Sequence, residues 1–409
     1  MKIVIKINPL DCKMNKKILI VTEYFYPNDS STAYYLTDIV KTISDKNNVI
    51  TITTSELNGS KELPFLKNKI FRMKESRFSK DRLLSRVAKL LFSTARLTWK
   101  AFSLLRKGDE IFAVTNPAFL ILILAVIKKI KKVKYTLLVY DVFPENILAA
   151  GLTKSDSFIY KVSKKIFNWA YTQADHLIVI GRDMQEVIGL KTKNSVPLSL
   201  VTNWCDVESI RCYPKSANAI IQQFKLEEKI VFAFTGNFGR VQGIQNLLDA
   251  TLLVKNKNFV LLFIGDGAMR STIEEHIVNN SNKNVIYGGN YPASDKNIFL
   301  NACDIALVSL SPSMYGLGVP SKSYYNMAAS KPLLLIGDER SEIGRVIKEH
   351  DIGWVVESDN PQKLAEQFEE ICKNSSFDIK GRKSREVVEQ FYSKEVILEK
   401  YKKLYGSAY

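Results

Sequence analysis

Ile230-Val-Phe-Ala-Phe-Thr-Gly-Asn-Phe-Gly-Arg-Val-Gln-Gly243 decides the fold class. Ile230–Thr235 is apolar or β-branched without alternation, the pattern of a strand buried on both faces. Thr235 runs straight into glycines at 236, 239 and 243, and Gln245–Lys255 then takes up helical periodicity. Strand, glycine turn and helix make the βα unit of a parallel sheet. Glycines let such a turn approach a pyrophosphate closely, and Arg240 offers it a forked cation. Gly236, Gly239 and Gly243 lack the G-x-G-x-x-G spacing of a dinucleotide site, which argues against an oxidoreductase.

The unit recurs along the chain. Lys17–Thr22, Val49–Thr53, Glu110–Val114, Tyr135–Tyr140, His176–Ile180 and Leu198–Val201 read as strands of a first series, with helices such as Thr32–Ser44 and Ser155–Tyr171 between them. Ile230–Thr235, Phe259–Ile264, Asn284–Tyr287, Ile305–Leu310, Pro332–Ile336 and Gly353–Val356 form a second series, with helices such as Gly267–Asn279. The expected fold is α/β, with two Rossmann-like doubly wound domains whose ligands sit outside the carboxyl ends of the strands. At 409 residues the chain is long for one core, so two domains are expected. The boundaries expected are 1–205, 206–388 and a terminal helical segment, 389–409, packing back toward the first domain. Residues 1–13, ahead of Met14, read as a dispensable extension.

A second stretch carries chemistry: Gly316-Leu-Gly-Val-Pro-Ser-Lys-Ser-Tyr-Tyr-Asn-Met-Ala-Ala-Ser-Lys331-Pro332. It follows the strand Ile305–Leu310 and opens a helix, with Pro320 suited to the first turn. Ser321 and Lys322 then lie where free backbone N–H groups and the helix dipole attract an anion. The same spacing also suits an ordinary buried helix whose lysine reaches solvent. A third glycine turn, Gly265-Asp-Gly267, ends the strand Phe259–Ile264 and opens another helix.

Composition narrows the field. Apolar residues make up 46% and charged ones 24%, as in an ordinary globular chain. Five cysteines without a CxxC pair and three histidines are too few for a zinc site and fit a reducing cytosolic setting. No metal and no cofactor is expected. The net charge of +16 is uneven: residues 1–200 hold 33 Lys and Arg against 17 Asp and Glu, the rest 25 against 25. Lys80–Lys107 sets Arg82, Arg86, Lys89, Arg96 and Lys100 among leucines, Phe92, Trp99 and Phe102. Phe119–Ile127 is an apolar run ending in Lys128-Lys-Ile-Lys-Lys132. That run falls short of the ~20 residues needed to span a bilayer. Basic amphipathic segments of this kind suit an anionic membrane surface, or a core helix with a solvated face. No nucleic-acid-binding motif accompanies the charge, so nucleic acid is not expected as a partner.

In order and spacing these motifs resemble the retaining glycosyltransferases of the group 1 (family 4) type, which have the GT-B fold. Lys17–Pro27 is similar to the family's first strand and turn, and Tyr140-Asp-Val-Phe-Pro-Glu145 to a segment after a later strand. Val201-Thr-Asn-Trp-Cys-Asp206 is similar to its interdomain linker. Thr235–Gly243, Phe263–Gly267 and Val319–Pro332 are similar to its glycine turns and donor-site helix. The forms G-N-x-G-x-x-Q-G and V-P-S-K-x-Y resemble the subgroup that builds O-antigen, capsule and exopolysaccharide units.

The resemblance implies a sugar transferred from a nucleotide-diphosphate donor, UDP-linked in the favoured reading, to a polyprenyl-diphosphate-linked saccharide. It implies an enzyme that is cytoplasmic and peripheral on the inner face of the membrane. By residue it implies Lys322, Arg240 and Asp141 as catalytic. It implies Gly236, Asn237, Gly239, Gln242, Asp266, Gly267, Tyr287, Gly316, Leu317, Gly318, Ser321 and Tyr325 on the donor, and Thr115, Asn116 and Glu145 on the acceptor side. Two departures stand out. Asn237 and Gln242 occupy the family's cation positions, and Leu317 and Tyr325 those of its two glutamates. Arg240 and Lys322 are therefore expected to neutralise the diphosphate, and backbone N–H groups of Gly316–Gly318 to meet the sugar. A non-catalytic sugar-nucleotide-binding scaffold and a GT-B sugar-nucleotide epimerase are the alternatives; the epimerase would need acid/base residues.

Overall fold

The computed structural model describes residues 16–57, 59, 69–74, 83–280, 283–373 and 377–406. The expected extension 1–13, together with Lys80 and Arg82, lies outside the described residues. The chain runs β1 Lys17–Val21, α1 Ser31–Ser44, β2 Asn48–Thr53, β3 Lys69–Arg72, α2 Leu83–Leu104, β4 Glu110–Val114 and α3 Leu120–Lys131. It continues with β5 Lys134–Val139, α4 Glu145–Ala149, α5 Phe158–Thr172, β6 His176–Val179, α6 Arg182–Thr192 and β7 Leu198–Leu200. After α7 Ala219–Phe224 come β8 Ile230–Asn237, α8 Ile244–Thr251, β9 Phe259–Asp266, α9 Arg270–Asn279, β10 Val285–Tyr287, α10 Lys296–Leu300 and β11 Ile305–Ser309. The last elements are α11 Lys322–Ala328, β12 Leu333–Ile336, α12 Glu342–His350, β13 Gly353–Val356, α13 Pro361–Lys373, α14 Phe377–Phe391 and α15 Lys394–Gly406.

Two sheets result, the first in the order β3-β2-β1-β4-β5-β6-β7 and the second β10-β9-β8-β11-β12-β13. Pairings such as β1 with β2 and β8 with β9 are parallel. The strands expected from apolar runs are present within a residue or two at most ends; the extra one is β3. By internal contacts the chain divides into two compact units after Thr136.

In the first unit β1 and β2 are largely buried, and α1 covers them with Tyr35, Leu36, Ile39, Val40 and Ile43. Ser30 caps α1 by accepting from the Ala33 amide.

The second unit holds the sheet that matters for chemistry. Strands β11 and β12 are buried throughout because both faces are covered. Val231, Ala233, Val308 and Leu335 belong to the core on one face, Phe232, Phe234, Leu307 and Ile336 to that on the other. Strand order reverses between β8 and β11. That is a topological switch point, where the loops leaving neighbouring strands diverge and open a crevice. The chain enters this region past Cys205, whose amide donates to Tyr392 O (3.0 Å) and whose carbonyl accepts from Lys394 (2.9 Å).

Candidate functional site

The switch point is built by glycine. Strands β8 and β9 stay paired through Gly236 with Gly265 and Asn237 with Asp266, so their two turns leave the sheet side by side. Gly265 has φ +140° and a Cβ there would lie 1.9 Å from Gly236 O; Gly267 has φ +152° and its Cβ would lie 2.6 Å from Phe238 N. No side chain fits at either place. The turns are then stapled by Phe238 N to Asp266 O (2.8 Å) and Met269 N to Phe238 O (2.9 Å). Phe238 is fully buried against Phe234, Phe263 and Tyr287, which anchors the turn from below. Tyr287 donates to Gly265 O (3.1 Å), and the Arg270 guanidinium covers its ring at 4.9 Å.

Above this floor Gly236, Asn237 and Arg240 are exposed. Arg240 makes no ion pair or side-chain hydrogen bond among the described residues. Gln242 keeps a buried Oε1 without a hydrogen-bond partner among the described residues. Gly239 has ordinary backbone geometry with Asn237 and Gln242 side chains beside it.

The loop leaving β11 borders the same place. Ser311 N donates to Val241 O (2.9 Å), joining it to the turn that carries Arg240. Pro320 stands one residue ahead of Ser321, the N-cap of α11, so the helix itself starts at Lys322. The Lys322 Nζ rests 3.3 Å from the centroid of the Phe234 ring. Burial pushes this ammonium down to about 7 from its ordinary 10.5. Among the described residues no carboxylate neutralises it. A desolvated cation without a counter-ion is costly unless an anionic ligand supplies the charge. Tyr325 is half-buried on the core side of α11, and Leu317 is 5% exposed. The positions matching the family's glutamates thus hold packed side chains.

Asp141 joins this assembly. Val142 N donates to Leu317 O (3.3 Å), and Gly318 lies against Tyr140 O and the Asp141 carboxylate. Asn146 Nδ2 donates to Asp141 Oδ1 (2.9 Å) and fixes its direction. Glu145 is engaged elsewhere: both its oxygens accept from Lys191 Nζ at 2.7 Å, and Lys164 lies 3.9 Å away. Thr115 and Asn116 follow β4 in the first unit, where Thr115 is buried and Asn116 O accepts from Glu23 N (3.4 Å).

A clamp on the β11 loop carried no sequence signal. At the start of α6, Asp183 is 2% exposed, and its Oδ2 accepts from the Gly316 amide (3.2 Å). Burial raises the pKa of this carboxyl. Gly316 has φ +68°, and a Cβ would strike Val187 and Asp183 O at 2.4 and 2.8 Å. Beside it Arg182 pairs with Glu342 (2.9 Å) and Glu349 (2.6 Å), while Glu186 holds Arg345 and the Tyr315 hydroxyl, each at 2.6 Å. No local pattern joins residues some 160 positions apart, such as Arg182 and Glu342.

The model of the family described as glycosyl transferases group 1 matches residues 216–390. Over 388 residues the chain is 36% identical to the probable glycosyltransferase WbjE of Pseudomonas aeruginosa, covering 94% of this chain and 96% of that one. The chain belongs to the group 1 glycosyltransferases. This glycosyltransferase is also similar in fold to Anabaena Alr3699/HepE in complex with UDP, at TM-score 0.71 and 13% identity over 96% of this chain and all of that one. WaaG, a glycosyltransferase involved in lipopolysaccharide biosynthesis, matches at TM-score 0.66 and 12% identity over 96% of this chain and 100% of WaaG. Likeness at such identities speaks to fold, and the fold is GT-B. The resemblance read from the glycine turns and the V-P-S-K segment therefore holds at the level of family, fold and enzyme class.

Proposed function

We propose that this glycosyltransferase moves a sugar from a nucleotide-diphosphate donor, UDP-linked, to a polyprenyl-diphosphate-linked saccharide in the synthesis of a bacterial surface polysaccharide. The observation that carries the donor half is the un-neutralised Lys322 ammonium at the switch point, beside two stapled glycine turns and Arg240. Alr3699/HepE, of the same fold, has been crystallised with UDP, UDP and glucose, and UDP-glucose.

The reaction retains the anomeric configuration. The bond from sugar C1 to the donor phosphate oxygen breaks as the bond from C1 to the acceptor oxygen forms on the same face. The acceptor proton passes to the leaving phosphate. Such a transfer asks for charge stabilisation more than for a side-chain base. Lys322 and Arg240 supply it. Backbone amides of the Gly316–Gly318 loop meet the donor sugar, and Asp141 orients the acceptor hydroxyl. No metal takes part in this scheme.

The enzyme works on the cytoplasmic leaflet. In the first unit α2 and α3 present Trp99, 77% exposed, and Ile130, 61% exposed, among lysines. Lys131 Nζ lies 3.9 Å over the Phe102 ring, which keeps the charge at the aromatic surface. Among the described residues no helix is long and apolar enough to cross a membrane.

The deciding experiment incubates the protein with a panel of sugar nucleotides and a lipid-diphosphate-linked monosaccharide, followed by mass and NMR analysis of products. A disaccharide-lipid with the donor's anomeric configuration is expected. An inverted product would overturn retention. Donor binding without transfer across the panel would favour the scaffold reading that the packed Leu317 and Tyr325 keep open.

A further inference from the structure

Helix α5 has two apolar faces. Tyr160, Phe167, Ala170 and Tyr171 are buried within the second unit, to which the helix belongs. Phe158 and Ile159 are instead 80% and 79% exposed, and Val162, Ile166 and Trp169 continue their stripe along the helix at 37–44%. Leu152, in the turn before α5, adds a side chain 72% exposed. A lone exposed leucine needs no explanation, but a contiguous stripe on an already packed helix does.

Charge identifies the occupant. Gly151–Thr172 carries four lysines and a single acidic residue, Asp156. Lys154, Lys161 and Lys165 are exposed and make no ion pair among the described residues. Lysines beside a stripe of Phe, Ile and Trp fit an interface that is apolar in depth and anionic at its surface. An acidic protein groove would meet the lysines but would not require a projecting Phe-Ile pair at a helix start. The stripe also follows α4, whose Asn146 is tied to Asp141.

We propose that α5 and the turn before it form an interfacial anchor, with Leu152, Phe158 and Ile159 entering an anionic phospholipid leaflet and Lys154, Lys161 and Lys165 among its headgroups. This deepens the membrane part of the function proposed above and adds a surface separate from α2 and α3. Docked in this way, α4 and Asp141 stand at the leaflet from which a lipid-linked acceptor would present its sugar.

The test is flotation of the full chain with phosphatidylcholine vesicles, with and without phosphatidylglycerol. The variants are Phe158→Ser with Ile159→Ser, and separately Lys129, Lys131 and Lys132→Gln. Wild type should float with the anionic vesicles only. The Phe158/Ile159 variant should lose about tenfold or more in partitioning with an unchanged melting temperature. A Phe158→Trp reporter should shift its emission to the blue on anionic vesicles and be quenched by brominated acyl chains. Flotation of the serine variant equal to wild type, with no spectral shift at position 158, would overturn the anchor while leaving the α2 and α3 surface standing. Wild type that stays at the bottom of every gradient would overturn the membrane reading of both surfaces. A dimer in light scattering that the serine variant dissolves, with no vesicle binding, would assign the stripe to a second copy of the chain.

Discussion

The ammonium of Lys322 lies 3.3 Å from the Phe234 ring centroid, and burial holds its pKa down to about 7. A bound diphosphate raises that pKa, so above about pH 7 donor binding must take up a proton. Affinity for UDP is then flat below pH 7 and falls above it, by up to about tenfold per pH unit. Titration calorimetry in buffers of different ionisation enthalpy reads both the slope and the proton. Lys322→Arg should abolish the proton uptake. The donor-free protein behaves in the opposite sense. The unfolded lysine keeps its proton up to about pH 10.5 and the folded one only to about 7. Stability from this group therefore rises with pH across that window, and the cost of the buried cation is fully present below it.

The Asp183 carboxylate and the Gly316 amide, 3.2 Å apart, hold the loop expected to meet the donor sugar. Asp183→Ala leaves that buried amide unpaired, at a cost of about 1–3 kcal/mol. The melting temperature should fall, and kcat/KM for the donor should drop about tenfold or more. If the steady-state constants stay at wild-type values while only stability falls, the clamp is structural and does not position the donor.

At Gly265 an added methyl would meet Gly236 O at 1.9 Å in a backbone conformation that L residues rarely adopt. Gly265→Ala should destabilise the protein by about 3 kcal/mol or more and weaken UDP binding in whatever folds. Chemical denaturation measures the first effect. An alanine variant as stable as wild type would mean that the two turns are not stapled as described.

Glu145 and Lys191 form a pair whose side chains are 16% and 5% exposed. Glu145→Ala strands the lysine and should cost about 3–5 kcal/mol. Replacing both residues by apolar ones of similar size should recover most of that loss. Recovery of stability with full transfer activity would remove Glu145 from the acceptor site. Recovery with activity still lost would return it there.

What the sequence disclosed follows from the range of each interaction. Strands buried on both faces announce themselves as apolar runs, so Ile305–Ser309 and Leu333–Ile336 were readable directly. The missing strand, Lys69–Arg72, is four residues bounded by charges and, among the described residues, pairs at the sheet edge with β2 alone, so no apolar run marks it. The glycine turns were legible because only glycine tolerates the geometry at 265 and 267. The motif leads one to expect Lys322 near a phosphate, but its seat on Phe234, 88 residues earlier in the numbering, could not be read from it. Glu145 reads as an acceptor group because it follows Asp141. Its pairing with Lys191 depends on how α4 and α6 come together, which no local pattern records.

Turnover of Lys322→Ala and Arg240→Ala at saturating donor tests the central claim, that these cations stabilise the leaving diphosphate. Circular dichroism and melting establish that each variant is folded. By analogy with removal of an oxyanion donor, each should lower kcat by about 10²–10³, or ~3–4 kcal/mol in the barrier. Near-wild-type turnover in both folded variants would contradict the assignment of the switch point between β8 and β11 as the donor-diphosphate site.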